Sequence, residues 1–268
     1  MKEQMTTASP MRVQFLGTGG AEGVPVVQCE CDHCRRAREE GGRLRRRRSA
    51  VYLRLPHYNL LVGAPPEVRE YVHNYRITEL QGVVALNNEF AHIGGIKEFE
   101  YWQPASLDFL SVPALFRQIR REYWTERLRR VFYVLPLYPN TPMYLGPEFQ
   151  IWAMTLSSQP ATFGLMVQMD HRKIAFLGQA PVERLPRLAL QHLRGADAVV
   201  VGLPAQAPEE DIQQRLQYLH QWGQDLNVGQ VVLSHVGHQA PPHDTLEALA
   251  AEVAPSVHIA YDGLELAL

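Results

Sequence analysis

The sequence has few cysteines and no long apolar run. Its 268 residues include three cysteines, and its longest apolar stretches, such as Val228 to Leu233, fall far short of the roughly 20 residues that a membrane helix needs. The first ten residues also lack the apolar centre of a signal peptide. We therefore expect a cytoplasmic protein without disulfides or a membrane partner.

Neither sign of charge predominates. The chain has 26 basic and 28 acidic side chains, a net charge of −2, which argues against a general nucleic-acid coat. One local block, Arg45 to Arg48, is strongly basic. It is either an anion-binding rim for a phosphate or carboxylate or, as such runs more often are, a solvated face.

The chain also lacks internal repeats and Ser/Gly-rich linkers, and 46% of its residues are hydrophobic. We predict one domain over residues 11–268 after a disordered start at 1–10. Predicted strands dominate both halves, and each half closes with αβ units, a pattern typical of an α/β protein whose sheets are sandwiched by helices. A basic amphipathic helix is predicted from Pro113 to about Arg130.

All three cysteines fall within six residues, at Cys29, Cys31 and Cys34. Thiolates at this spacing can converge on one tetrahedral ion, and sulfur ligands in a reducing compartment favour zinc. The fourth ligand is either His33 or an imidazole of the distant segment 234–238, where we favour His238. The alternatives are three free thiols, an iron–sulfur site or a redox site.

Five motifs together make the chain similar to a known superfamily. They are Gly17 to Pro25, the cysteine cluster, His92-x-Gly94-Gly95, Ser234-His235 and Tyr261 to Glu265. This combination resembles the metallo-β-lactamase superfamily, in the cysteine-loop branch that contains coenzyme PQQ synthesis protein B (PqqB) and, more distantly, the phosphodiesterase PhnP. The resemblance implies an αββα sandwich and a structural zinc.

The paired-metal motif of that superfamily, His-x-His-x-Asp-His, is degraded in this chain. Asn87, Glu89 and Ala91 stand where two histidines and the aspartate would be, while His92 remains. By the same resemblance, a later histidine position falls at Ser158, the bridging carboxylate at Gln179, and the last histidine survives as His235. Amides and hydroxyls are poor zinc ligands, so ordinary hydrolysis at two metals is not expected.

Glu89, His92 and His235 remain as the candidate catalytic residues. They could hold a second metal, iron or zinc, as a mononuclear oxygenase centre; the alternative is that Glu89 is a solvated loop residue and both histidines bond buried backbone. The candidate substrate-binding residues are Asn87, Ser158, Gln179, Tyr101 and Trp102.

The function that the resemblance implies is maturation of the cofactor PQQ or a related peptide-derived compound. Whether the protein is an enzyme stays open. One alternative is a non-catalytic relative that binds a small molecule or a partner, and another is an atypical metal-dependent phosphodiesterase. The expected partner is a small-molecule or peptide-derived substrate and no nucleic acid, with a homodimer left open.

Overall fold

A computed structural model describes residues 11–102, 106–159, 161–203 and 209–268, without the side chains of 209–211. The disordered start predicted for 1–10 lies outside these residues. The strands are β1 (Arg12–Gly17), β2 (Ala50–Leu55), β3 (Tyr58–Val62), β4 (Gly82–Ala85), β5 (Leu107–Ser111), β6 (Phe132–Pro136), β7 (Met143–Tyr144), β8 (Phe149–Ser158), β9 (Ala161–Met169), β10 (Arg172–Phe176), β11 (Ala198–Gly202), β12 (Gln230–Ser234), β13 (Val257–Ile259) and β14 (Glu265–Ala267). The α-helices are α1 (Asp32–Glu39), α2 (Val68–Asn74), α3 (Phe90–Ile93), α4 (Pro113–Glu122), α5 (Leu128–Val131), α6 (Arg187–Leu193), α7 (Glu209–Asp225) and α8 (His243–Val253), and 3-10 helices cover Gly42–Leu44, Gly94–Tyr101 and Val182–Arg184.

The strands form two mixed sheets of seven strands each. The first has the order β14-β1-β2-β3-β4-β5-β6, and the second has the order β13-β12-β11-β10-β9-β8-β7. In each sheet an antiparallel part built from hairpins continues into parallel strands joined by helical crossovers. The α/β architecture predicted from the sequence is confirmed.

Side chains that alternate along the strands of the second sheet divide between two cores. In β9, Leu165 and Val167 belong to the core between the sheets, while Met166 points to the outer core beneath α6, α7 and α8. Helices α2 and α4 pack against the first sheet. Their buried residues, such as Tyr71 and Ile119, belong to the same cluster as the residues between the sheets. The layers are therefore helix, sheet, sheet and helix, which follows from the two-residue period of a strand.

The predicted basic helix from Pro113 to about Arg130 is two helices, and the prediction is wrong on its length. Helix α4 ends at Glu122, and the Thr125 hydroxyl accepts the Leu128 N–H at 3.2 Å as α5 begins. This bond closes the turn between the two helices, because a threonine oxygen that accepts a nearby backbone N–H favours a turn. No helix among the described residues is long and apolar enough to cross a membrane.

Candidate metal centre and adjoining cavity

One short segment, residues 234–238, supplies a histidine to each of two candidate sites, the cysteine cluster and a neighbouring cavity. Strand β12 ends at Ser234, and His235 follows in the left-handed conformation with φ of 53°. The Val236 N–H then donates to Thr18 O at 2.9 Å, which ties the segment to the loop after β1. The turn at His235 allows this residue to face the cavity described below while His238, three residues later, reaches the cysteines.

Cys29, Cys31, Cys34 and His238 form a compact donor cluster. Each offers one ligand atom, and the four atoms lie within 4.8 Å of one another. The His238 Nδ1 is 3.4 Å from the Cys29 sulfur and 3.6 Å from the Cys31 sulfur. A tetrahedral zinc with ordinary Zn–S and Zn–N bonds requires an S···N separation of about 3.6 Å. The cluster therefore fits a metal such as zinc.

The surroundings hold this cluster in shape. Helix α1 begins directly after Cys31, whose sulfur accepts the Cys34 N–H at 3.5 Å, and the Val26 N–H donates to the Cys34 sulfur at 3.3 Å. Burial raises the pKa of the Cys34 thiol to about 12. A cation bound among these groups opposes that effect, because a coordinating thiol is deprotonated.

His33 supports the cluster and is not a ligand. Its ring is buried, and its Nδ1 lies 3.0 Å from Ala240 O and 3.3 Å from His238 O, so this nitrogen carries the proton and donates. The contact fixes the backbone that carries His238. Partners of this type tune metal affinity without touching the ion.

A cavity of about 750 Å³ opens between the two sheets at the end where β4 stops. Its floor is apolar and mostly buried, and its rim carries exposed amides and two opposite charges, Glu89 and Arg184. The floor includes Ala50, Val51, Leu156, Phe176, Leu177 and Val200, and the rim includes Glu89, Ala114, Gln118, Gln159, Gln179 and Arg184.

The two retained histidines lie side by side on one wall of this cavity. The His92 and His235 ring centroids are 5.5 Å apart, with the planes inclined by 34°. Glu89 Oε2 is 3.4 Å from His92 Nδ1, close enough for an ion pair, although the Nδ1 has no well-directed hydrogen bond. The contact with His92 lowers the pKa of Glu89.

His235 is a neutral imidazole at pH 7. Burial, with a smaller effect of His92, lowers its pKa to about 3, and its buried Nδ1 has no hydrogen-bond partner among the described residues. Within those residues, the cysteine cluster is the only set of three or more His, Cys, Asp or Glu ligand atoms within 4.8 Å of one another. Glu89, His92 and His235 are neighbours but do not converge to that extent.

Two known proteins of different names share sequence with the chain, although no protein-family model matches it. It is 27% identical over 267 residues to an octanoyltransferase of Porphyromonas gingivalis, a match that covers 95% of this chain and 51% of the relative. It is also 28% identical over 108 residues to coenzyme PQQ synthesis protein B of Methylobacterium radiotolerans, covering 36% of each protein. The matched regions thus cover about half the length of the first relative and 36% of the length of the second.

Solved structures decide the fold. Zn²⁺-bound PqqB from Methylobacterium extorquens superposes with a TM-score of 0.78 over 96% of this chain and all of the other, at 18% identity. A diphosphatase of the PhnP family also gives a TM-score of 0.78, at 16% identity, over 96% of this chain and 97% of the other. The protein has the metallo-β-lactamase fold. It resembles PqqB and the PhnP-family diphosphatase, as the sequence motifs predicted.

Within the metallo-β-lactamase fold, the predicted substrate-binding residues divide into two groups. Asn87 and Gln179 line the cavity. Ser158 does not, because it is exposed at the end of β8 while Ser157 lines the cavity beside it. The cavity lining thus includes Ser157 and not Ser158, because neighbouring side chains in a strand point to opposite faces.

Tyr101 and Trp102 lie outside the cavity lining, contrary to prediction. Tyr101 is 72% exposed, with the Arg127 guanidinium 5.9 Å from its ring centre. Trp102 packs on Phe99 with ring centres 4.1 Å apart. Sequence proximity to the degraded motif was misleading because the 3-10 helix that begins at Gly94 carries both rings away.

The arginine block has internal partners and does not form an anion-binding rim. Arg46 is 1% exposed and donates to Thr18 Oγ1, Ala260 O and the His243 ring. Arg45 donates to the carbonyls of Ala37 and Arg38. Arg47 and Arg48 face Glu70 and Glu67, and none of the four lines the cavity.

The cavity residues that the sequence does not point to include Ser49, Gln118 and Arg184. Ser49 precedes β2, Gln118 lies on α4, and Arg184 ends a 3-10 helix. These residues are distant in sequence and belong to no motif. Only the closure of the two sheets brings them to one cavity.

Proposed function

We propose that this protein binds a small carboxylate-bearing organic molecule in the cavity, with the apolar part of the ligand on the floor and the carboxylate at Arg184. The observation that carries the proposal is the combination of an apolar floor with a rim cation that has no ion-pair partner among the described residues. The adjacent Glu183 pairs with Arg215 and leaves Arg184 available. Arginine binds carboxylates through paired N–H donors.

The donor set around the cavity supports binding without hydrolysis at two metals. A paired-metal centre needs imidazole and carboxylate ligands that hold and ionise a bridging water. Asn87 and Gln179 offer neutral amides at the corresponding places, and the carboxylate of Glu89 is turned toward His92. The structural metal, which we propose to be zinc, would hold the 235–238 segment.

Two sources of such a ligand follow from the relatives. The octanoyltransferase name suggests an eight-carbon acyl chain, whose body suits the apolar floor. The PqqB name suggests the quinone cofactor PQQ or a peptide-derived precursor, which would give the protein a role in cofactor maturation. Both carry carboxylates in their free forms, so the same site could bind either.

Calorimetric titration tests the proposal with octanoate, PQQ and the neutral analogue 1-octanol. We expect saturable binding of one acid, no comparable binding of octanol, and about tenfold weaker binding of the acid in Arg184→Gln, because a hydrogen bond to a charged group contributes about 1.5–3 kcal/mol. Arg187→Gln is the matched control, since Arg187 is also exposed but lies outside the cavity. Equal affinities in the two variants, or no saturable binding of either acid, would refute the proposal.

A mononuclear metal centre at Glu89, His92 and His235 is the second candidate, favoured by the 3.4 Å Glu89–His92 contact and the 5.5 Å ring separation. Two histidines and a carboxylate are the ligand set of non-haem Fe(II) oxygenases. Metal analysis after growth with iron and zinc tests it. A second equivalent of metal that disappears in Glu89→Ala supports the centre, and a single equivalent that is insensitive to this substitution rules it out.

The phosphodiesterase alternative has its own assay. Hydrolysis of a bis-aryl phosphate that is lost in His235→Ala would favour it over simple binding. We expect no turnover above that of the variant, because a paired-metal centre lacks most of its donors in this cavity.

A further inference from the structure

A basic stretch of the described residues lies next to the cavity. Residues 113–131 carry six arginines against two glutamates, whereas the whole chain has a net charge of −2. On α4, three of these arginines are exposed, Arg117, Arg120 and Arg121. We call them the arginine face.

Helical spacing gathers the arginine face on one side of α4. Positions i, i+3 and i+4 are neighbours on a helix surface, and these three residues have that spacing. The opposite side is the buried one, with Leu115 and Ile119 in the core. The arginine face therefore points to solvent, and its three side chains span only about 6 Å along the axis.

The charges of the arginine face are not neutralised locally. None of its three members makes an ion pair with a described side chain. The only carboxylate of α4, Glu122, accepts a hydrogen bond from Asn88 at 3.4 Å. In the following turn, Glu126 is paired with Arg129 at 3.0 Å.

The same helix forms part of the cavity rim. Ala114 and Gln118 line the cavity, and each lies three residues before a member of the arginine face. A macromolecule that contacts Arg117 and Arg121 would therefore stand at the cavity entrance. Arg127 over the exposed Tyr101 extends the surface with a residue pair typical of protein interfaces.

We propose that the arginine face docks an acidic protein that presents its ligand to the cavity on a flexible arm. The proposal rests on the ligand-binding function proposed above and names how the ligand arrives. Charge complementarity selects the partner, because clustered arginines steer and orient a carboxylate-rich surface. A covalently carried acyl group needs an entrance beside the docking surface, which α4 provides. It has no free carboxylate, so its thioester carbonyl would accept the Arg184 N–H in place of the carboxylate of the free acid.

A protein suits this surface better than a nucleic acid. Nucleic-acid binding commonly uses 6–10 phosphate contacts along an extended track. The arginine face is short, and the rim also carries Glu89, whose side chain is 64% exposed and would repel phosphates. One acidic helix of a small protein matches three arginines within about one turn.

Binding to a small acidic acyl carrier protein, with and without an octanoyl chain on its arm, tests the docking. We expect the unloaded carrier to bind at low salt, affinity to fall as salt is raised, and Arg117→Glu/Arg121→Glu to weaken binding by about tenfold or more. The matched control is Arg69→Glu/Arg187→Glu, which makes the same charge change at exposed positions on α2 and α6. We expect this control to bind as the wild type does.

The outcomes distinguish the docking surface from the cavity. Free octanoate or PQQ should bind equally well to the wild type and to Arg117→Glu/Arg121→Glu, which keeps the two proposals separate. Of the two carrier forms, Arg184→Gln should weaken the binding of the loaded one only. No binding of either carrier form, or equal losses in both double variants, overturns the docking proposal. Tighter binding of a 20-nucleotide RNA, lost in Arg117→Glu/Arg121→Glu, would overturn it in favour of a nucleic-acid partner.

Discussion

The cysteine cluster and the His92/His235 wall receive histidines from the same segment but differ in completeness. At the cluster, four donors lie within 4.8 Å, and His33 holds the backbone behind them. At the wall, two rings stand 5.5 Å apart with a single carboxylate nearby. The difference indicates that the cluster offers a complete set of donors for one ion, whereas the wall offers two imidazoles and one carboxylate that do not converge.

The largest effect is expected from the loss of one thiolate of the cysteine cluster. Cys34→Ser should reduce bound zinc from about one equivalent to nearly none, because serine is a poor zinc ligand. We expect a midpoint of thermal unfolding lower by about 10 °C, corresponding to a loss of several kcal/mol of metal-linked folding free energy. Metal analysis and calorimetry of the purified variant measure both.

Ala37→Ser is the control for that experiment. It places a hydroxyl at another buried position of α1 and leaves all three thiols in place. If Cys34→Ser retains its metal, or if Ala37→Ser loses as much, the cluster is not the metal site that holds the fold.

Acid should destabilise the fold at the buried His243. Burial, then the charge of Arg46, lowers the pKa of His243 from 6.5 to about 4. The unfolded chain therefore takes up a proton below pH 6.5 that the folded chain takes up only near pH 4, so stability falls as pH decreases through that window. At 1.36 kcal/mol per pKa unit the loss is about 3 kcal/mol.

Urea unfolding between pH 7 and pH 4 checks this dependence. The groups facing His243 are Arg46, Arg43, Asp244 and Glu247. His243→Gln keeps an acceptor for the Arg46 guanidinium, now 3.0 Å from the ring, and should flatten the curve. His258→Gln, at an exposed position, should leave the slope unchanged; equal slopes in all three proteins would contradict the assignment.

The smallest expected effect sharpens the contrast between ligands and their supports. His33→Gln should still bind one equivalent of zinc at saturation, but with an affinity about 10- to 100-fold lower, as is usual when an outer partner of a ligand is changed. Competition with a chromophoric chelator measures the affinity. Loss of stoichiometric binding would instead make His33 a ligand.

The sequence predicts the cluster because three cysteines within six residues have the spacing and chemistry of metal ligands, and His238 lies in a histidine-containing segment that can supply the fourth. It also predicted an α/β fold with two sheets, since predicted strands dominate both halves and each half closes with αβ units. It misplaced Tyr101 and Trp102, whose direction depends on a 3-10 helix. Ser49 and Arg184 reach the cavity only through tertiary closure, and Arg46 is buried by contacts with distant segments that no local pattern reveals.

The segment from His235 to His238 links the two regions mechanically. One end faces the cavity, the other faces three sulfurs, and Val236 between them is held to Thr18 O at 2.9 Å. An ion bound by His238 and the three sulfurs would fix the backbone of this segment, and with it the cavity wall at His235, only three residues away. Chelation should then loosen ligand binding at a distance, so that cellular zinc supply would govern whether the cavity keeps its shape.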